Sequence, residues 1–133
     1  MRDRHLGAVC DEYLERARRH LPVEVVEVEN DESLLRRIPA GGAGVEVIAL
    51  EPGGEAWDTA RFTAHVEHGM LHGQRQLVFL IGGSDGLPAP AVTRSARRLS
   101  LSPLTLPHRL ARVLLAEQIY RALSIIKGEP YSR

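Results

Sequence analysis

The sequence predicts a single α/β domain spanning residues 1–133, with a mainly parallel sheet flanked by helices. Three observations predict it. Short β-branched or apolar runs alternate with segments of helical apolar spacing, and a glycine- or proline-containing turn follows each run after the first. The length of 133 residues, 44% of them hydrophobic and 26% charged, suits one ordinary core.

Leu6, Val9, Cys10, Tyr13, Leu14 and Ala17 recur at i, i+3, i+4, i+7, i+8 and i+11, so residues 3–20 read as an amphipathic helix that Leu21 and Pro22 end. Val23–Glu29 alternates valine with glutamate, the pattern of a strand with one wetter face. Asn30 and Asp31 are suited to cap a short helix through Arg37. Pro39–Gly44 is a glycine-rich turn, Val45–Leu50 a second strand, and Pro52, Gly53 and Gly54 the loop after it. Thr59 opens another helix, with Phe62, Val66 and Met70 four apart on its inner face.

Leu77–Ile81 is a continuous apolar run, which fits a strand covered on both faces at the centre of the sheet. Gly82, Gly83, Ser84, Asp85 and Gly86 follow at once, and Leu87–Pro90 starts a short helix. A strand at Arg98–Leu101 leads through Ser102–Pro107 into a long helix from His108 to Lys127. That helix carries Leu110, Leu114 and Ile125 on one side and Leu115, Ile119, Leu123 and Ile126 on another. One domain face cannot bury both sides, so a homodimer is expected.

Composition excludes several classes. No run approaches the roughly 18 apolar residues that span a bilayer, and the charged start (Arg2, Asp3, Arg4) is no signal core, so the expected location is the cytoplasm. Cys10 is the single cysteine and makes neither an intramolecular disulfide nor a thiolate metal site; burial in the core is its expected role. Net charge is zero, yet from Arg94 onward eight basic residues face two acidic ones, and the first 93 residues carry the opposite excess. That asymmetry is compatible with a basic face for phosphate, or with arginines paired to glutamates of the other half.

Ligands of open parallel sheets bind beyond the carboxyl ends of the strands. Three loops qualify: the one after Leu50, Gly82–Gly86 after Ile81, and Ser102–Pro107 before the last helix. The glycine loop is neither a Walker A motif nor a full dinucleotide fingerprint, so by itself it signals a ligand no more strongly than a tight turn. No Ser/His/Asp or Cys/His arrangement has supporting spacing. His65 and His68 lie i, i+3 on a helix, but solvated helix histidines are far commoner than metal ligands, and no metal is expected. Trp57 has the chemistry to stack on a base, although a loop anchor packed on the core is the commoner use.

Two runs, Leu80-Ile-Gly-Gly-Ser-Asp-Gly-Leu87 and Leu99-Ser-Leu-Ser-Pro-Leu-Thr-Leu-Pro-His108, closely resemble the ribosomal large-subunit methyltransferase H family of the SPOUT superfamily. So do the helix from Arg109 through Glu117-Gln-Ile-Tyr-Arg-Ala122, Asp11-Glu-Tyr-Leu-Glu15, the Leu50-Glu51 to Trp57-Asp58 loop, and the ending Pro130-Tyr131. The resemblance implies a SPOUT fold with a C-terminal trefoil knot, S-adenosylmethionine as cofactor, and methylation of N3 of a pseudouridine in 23S ribosomal RNA. A catalytically weakened RNA-binding homologue is the alternative. It implies cofactor contacts at Leu50, Gly83, Ser102, Pro103, Leu104, Thr105, Leu106 and Pro107. It also implies a homodimer in which the tail of one subunit completes the other's site on ribosomal RNA or the ribosome. Tyr131 resembles the family's tail tyrosine and is the expected positioning or proton-removing group, with Arg133 and Arg121 on phosphate and His108 a second proton-transfer candidate, unless it serves as a helix cap partner. The sequence departs from the family at Ser132, where a histidine is usual. At Met1 it begins at the first helix, without the family's N-terminal strand, which is expected either from a true start upstream of Met1 or from a shortened version whose sheet lacks that strand.

Overall fold

The computed structural model describes residues 3–130. The elements in chain order are α1 (Arg4–Arg18), α2 (Asp31–Arg37), β1 (Val45–Ala56), α3 (Thr59–Leu71), β2 (Gln76–Leu80), α4 (Ala89–Arg94), β3 (Arg97–Ser100) and α5 (His108–Ile126). Polar caps set three helix starts. The Asp3 carboxylate accepts from the His5 and Leu6 amides, Asn30 from Ser33, and Asp58 from Arg61, each satisfying a donor that the helix leaves orphaned.

Among the described residues the sheet has three parallel strands in the order β2-β1-β3. Pleat alternation then sorts the apolar side chains. Ile48, Leu50, Leu77, Phe79, Ile81 and Leu99 point to one face, where Phe62 of α3 and Leu115 and Ala122 of α5 cover them. Val47, Leu80, Val45 and Val78 point to the other, under Ala91 of α4 and Leu34 and Leu35 of α2. Behind the first layer, α1 lies along α5. Asp3 senses Arg109, Cys10 and Leu14 pack with Val113 and Ala116, and Ala17 packs with Tyr120 and Leu123. The contacts advance together along both helices, so α1 and α5 run parallel.

Three expectations change. The Leu77–Ile81 run forms β2, but as an edge strand; β1 is the centre. Its unbroken apolar character reports two covered faces, not a central position. Val23–Glu29 forms no strand. Val23 packs into the α1–α5 clusters, its carbonyl accepts from Arg18 Nε at 2.8 Å, and Val25, Val26 and Val28 are exposed. A strand is held by its ladder, and no neighbouring strand pairs with this segment among the described residues. Finally, β1 does not stop at Leu50. It bulges at residues 51–54 and pairs again with β3 through Glu55 and Ala56.

Candidate ligand site at the carboxyl edge of the sheet

Because all three strands are parallel, their carboxyl ends share one edge of the sheet. Ala49 pairs with Leu80 and Leu50 with Leu99, so the chain leaves the ladder at neighbouring positions beside Leu50, after Leu80 and after Ser100. The strand order also reverses direction here: after β1 the chain goes to one flank for β2 and then to the other for β3. That is the switch point at which ligands of open parallel sheets sit. The three sequence-predicted loops are therefore brought together.

The loops are built differently. Gly82 is packed against its own turn: a Cβ there would lie 2.4 Å from the Gly86 carbonyl carbon and 2.5 Å from the Leu87 nitrogen, so no side chain fits. Its neighbour Gly83 has nothing within 4 Å of the corresponding position. Gly82 closes the turn, and Gly83 presents bare backbone to open space. In the third loop Ser100 Oγ donates to the Ser102 carbonyl (2.8 Å) and Ser102 Oγ accepts from the Leu104 amide (2.9 Å). Pro103 and Pro107 carry no amide hydrogen, and Leu104 is 72% exposed, a costly place for a leucine in an isolated chain. Among the described residues the Thr105 and Leu106 amides meet no acceptor within the chain. They are donors held ready on a braced loop.

Next to this edge lies a cleft of about 310 Å³ between the start of α3, the end of β3 and α5, lined by Trp57, Phe62, Leu99, Leu101, Leu114 and Gln118 among others. Thr59 Oγ1 donates to Gln118 Oε1 at 2.9 Å across its floor. Trp57 is an anchor here. It packs on the core, its Nε1 donates to Glu55 (3.1 Å), and the guanidinium groups of Arg61 and Arg97 sit 5.1 and 5.5 Å from its ring centre. The Trp57 hydrogen bond, with Arg61 and Arg97, holds the Glu55 carboxyl below its usual range.

The other polar candidates separate. His65 turns to Glu46, whose second oxygen is 3.3 Å from Arg97, while His68 and His72 stack at 4.1 Å. No group of three potential metal ligands occurs among the described residues. His108 is exposed at the first position of α5 and makes no capping hydrogen bond, so the helix-cap role does not hold. Arg121 is bound to Glu117 through Nε and a terminal nitrogen (2.9 and 2.8 Å). Tyr131 and Arg133 lie outside the described residues. Cys10 is buried, and burial raises its thiol pKa.

The charge asymmetry finds its use inside the fold. Arg97 meets Glu46 and Glu55, Arg98 meets Glu51, and Arg112 meets Glu27, each pair joining the basic C-terminal part to the acidic first part. The sequence leaves this alternative open, because the paired residues are separated by tens of positions.

Comparison with known families decides the class: residues 1–132 match the model described as "Predicted SPOUT methyltransferase". The chain belongs to the SPOUT methyltransferase family. Among relatives of this SPOUT chain, the ribosomal RNA large subunit methyltransferase H of Sorangium cellulosum is 44% identical over 99% of this chain and 92% of its own length. The protein of the same name from Solibacter usitatus is 41% identical over 99% and 92%. That from Alkalilimnicola ehrlichii is 52% identical over 66% of this chain and 56% of its own. No helix among the described residues of this SPOUT chain is long and apolar enough to cross a membrane.

Proposed function

We propose that this SPOUT protein is an S-adenosylmethionine-dependent methyltransferase acting on N3 of a pseudouridine in 23S ribosomal RNA, in the cytoplasm and as a homodimer. The observation that carries the reading is the convergence of Leu50, Gly83 and Ser102–Pro107 at one sheet edge, with Gly83 open to solvent and the Thr105 and Leu106 amides unengaged. Backbone donors and close backbone approach suit an adenine ring and an amino-acid carboxylate, which is what the cofactor presents. When bound, the cofactor supplies an electrophilic methyl group on sulfur. In this reading the C-terminal segment is threaded into the trefoil knot of the superfamily, which would hold Ser102–Pro107 against the other two loops.

The protein's own part is to hold the acceptor nitrogen in line and remove its proton, since an imide nitrogen attacks only as it loses that proton. Tyr131 is assigned to this task, Arg133 to phosphate, and His108, exposed at the mouth of the third loop, to a second proton-transfer role. In this reading Tyr131 acts on the partner's site, as the resemblance implies. The 19 residues of α5 extend about 28 Å away from the Ser102–Pro107 loop. A partner lying antiparallel along the uncovered side of α5 would bring the end of one α5 near the Ser102–Pro107 loop of the other.

Isothermal titration with S-adenosylmethionine tests the cofactor site, and methyl transfer to ribosomes lacking the modification tests the substrate. The expected result is binding by the wild type, weakened by Gly83→Val, and transfer that Tyr131→Phe reduces. Wild-type protein that binds no cofactor would refute the reading.

A further inference from the structure

The excursion of β1 after Leu50 is tied down at a point that the strand ladder does not reach. Leu50 and Glu55 both pair with Leu99, so Glu51, Pro52, Gly53 and Gly54 leave β3 and return to it at one residue. Fixed ends alone leave such a loop free to swing, the more so with two glycines in it. Arg98, the residue before Leu99, removes that freedom. Gly54 lies flat on the strand: a Cβ there would come within 2.7 Å of the Arg98 carbonyl carbon and 2.8 Å of the Leu99 nitrogen, so backbone meets backbone. Further out, the Arg98 guanidinium donates to the Gly53 carbonyl at 2.9 Å, and its Nε lies 3.5 Å from a Glu51 carboxylate oxygen. Pro52 and Gly53 are exposed, so little packing holds them otherwise.

We propose that Arg98 is a positioning residue of the candidate site: by holding the Gly53 carbonyl it keeps the loop of residues 51–54, one of the three at the carboxyl edge, in the shape that receives the cofactor. The inference rests on the reading of that edge as the S-adenosylmethionine site. Arg98 itself need touch no ligand. A loop already in its receiving shape binds without first being ordered, whereas a loop that visits the shape for a fraction of the time binds more weakly by that fraction. One hydrogen bond to an exposed carbonyl is worth about three- to tenfold in such an equilibrium. Once the cofactor is bound the loop is ordered either way, so the loss falls on KM and spares kcat.

Backbone amide order parameters of Gly53 and Gly54, measured by nuclear magnetic relaxation on the cofactor-free protein, read the loop directly. Variants are Arg98→Met, which keeps the bulk of the side chain and loses every donor, and Arg98→Lys, which keeps one charged donor. The expected result is a value of about 0.85 in the wild type that drops below about 0.6 in Arg98→Met, with Arg98→Lys between. In parallel, the Kd for S-adenosylmethionine from isothermal titration and its KM in methyl transfer both rise about three- to tenfold in Arg98→Met, and less in Arg98→Lys, with kcat at saturating cofactor retained. Equal order parameters in the wild type and Arg98→Met overturn the proposal, as does a loosened loop with unchanged Kd. A wild type that binds no S-adenosylmethionine refutes the cofactor reading and the receiving role together, and the order parameters then decide only whether Arg98 holds the loop.

Discussion

The two sides of α5 are made of the same kinds of residue and meet opposite surroundings. Leu115, Ala116, Ala122 and Leu123 are nearly inaccessible, enclosed between the sheet and α1, while Leu114 is 37% and Ile125 52% exposed along the opposite arc with Leu110, Gln118 and Arg121. The difference teaches that helical periodicity reports how many surfaces a helix must cover, and only the tertiary structure says which of them lies within the same chain. One side belongs to the fold. The other is suited to a second copy.

The largest effect comes from attacking the enclosed side. Leu123→Ala removes a fully buried side chain where α1, α3 and α5 meet and is expected to cost about 2–5 kcal/mol in urea unfolding, with methyl transfer per folded molecule retained. A change under about 1 kcal/mol would show that this side is less tightly packed than the structure has it. Charging the open side sharpens the contrast. Leu114→Glu with Ile125→Glu is expected to keep the far-ultraviolet circular dichroism of the wild type but to halve the mass seen by light scattering and abolish methyl transfer. Retention of a dimer would place the subunit contact elsewhere.

The smallest effect lies on the flank between the two sides, where Arg112 reaches Glu27 at 2.6 Å. The hydrogen bond from Arg112 is the largest of the effects that together hold the Glu27 carboxyl at about 2, against an ordinary 4.5. A depressed carboxyl contributes stability above its unfolded pKa and loses it as pH falls through the folded one. Glu27→Gln is therefore expected to lower the unfolding midpoint at pH 7 by the small worth of an exposed ion pair and to flatten its fall between pH 4.5 and 2 by that same amount. Identical acid limbs for the two proteins would mean that the pair is not formed in solution.

Local chemistry made most elements legible: the period of α1, the Asn30 cap of α2, and the apolar inner face of α3 all appear where the sequence puts them. What failed was relational. The valines of residues 23–28 have strand chemistry, but a strand exists only with a partner, and the partner is not a local property. For the same reason the central place that the Leu77–Ile81 run suggests falls to β1 instead, and the resumption of β1 at Glu55 is hidden, since Pro52, Gly53 and Gly54 look like a terminus until β3 pairs beyond them. The site was legible as three loops because chain exits from apolar runs are visible in sequence. The contrast between Gly82 and Gly83 was not, because identical residues differ only in what surrounds the missing Cβ.

The position of α5 has a bearing on how the molecule comes into being. It is the last element in the sequence, and it packs both on α1, the first, and on α3 in the middle. Until it is synthesised, α1 has no surface to lie along and one side of the sheet stays open to water. Contacts of such wide separation along the chain slow folding. The fold as described therefore completes only once α5 is made, which leaves the apolar strands exposed for longer than in a domain built from near neighbours.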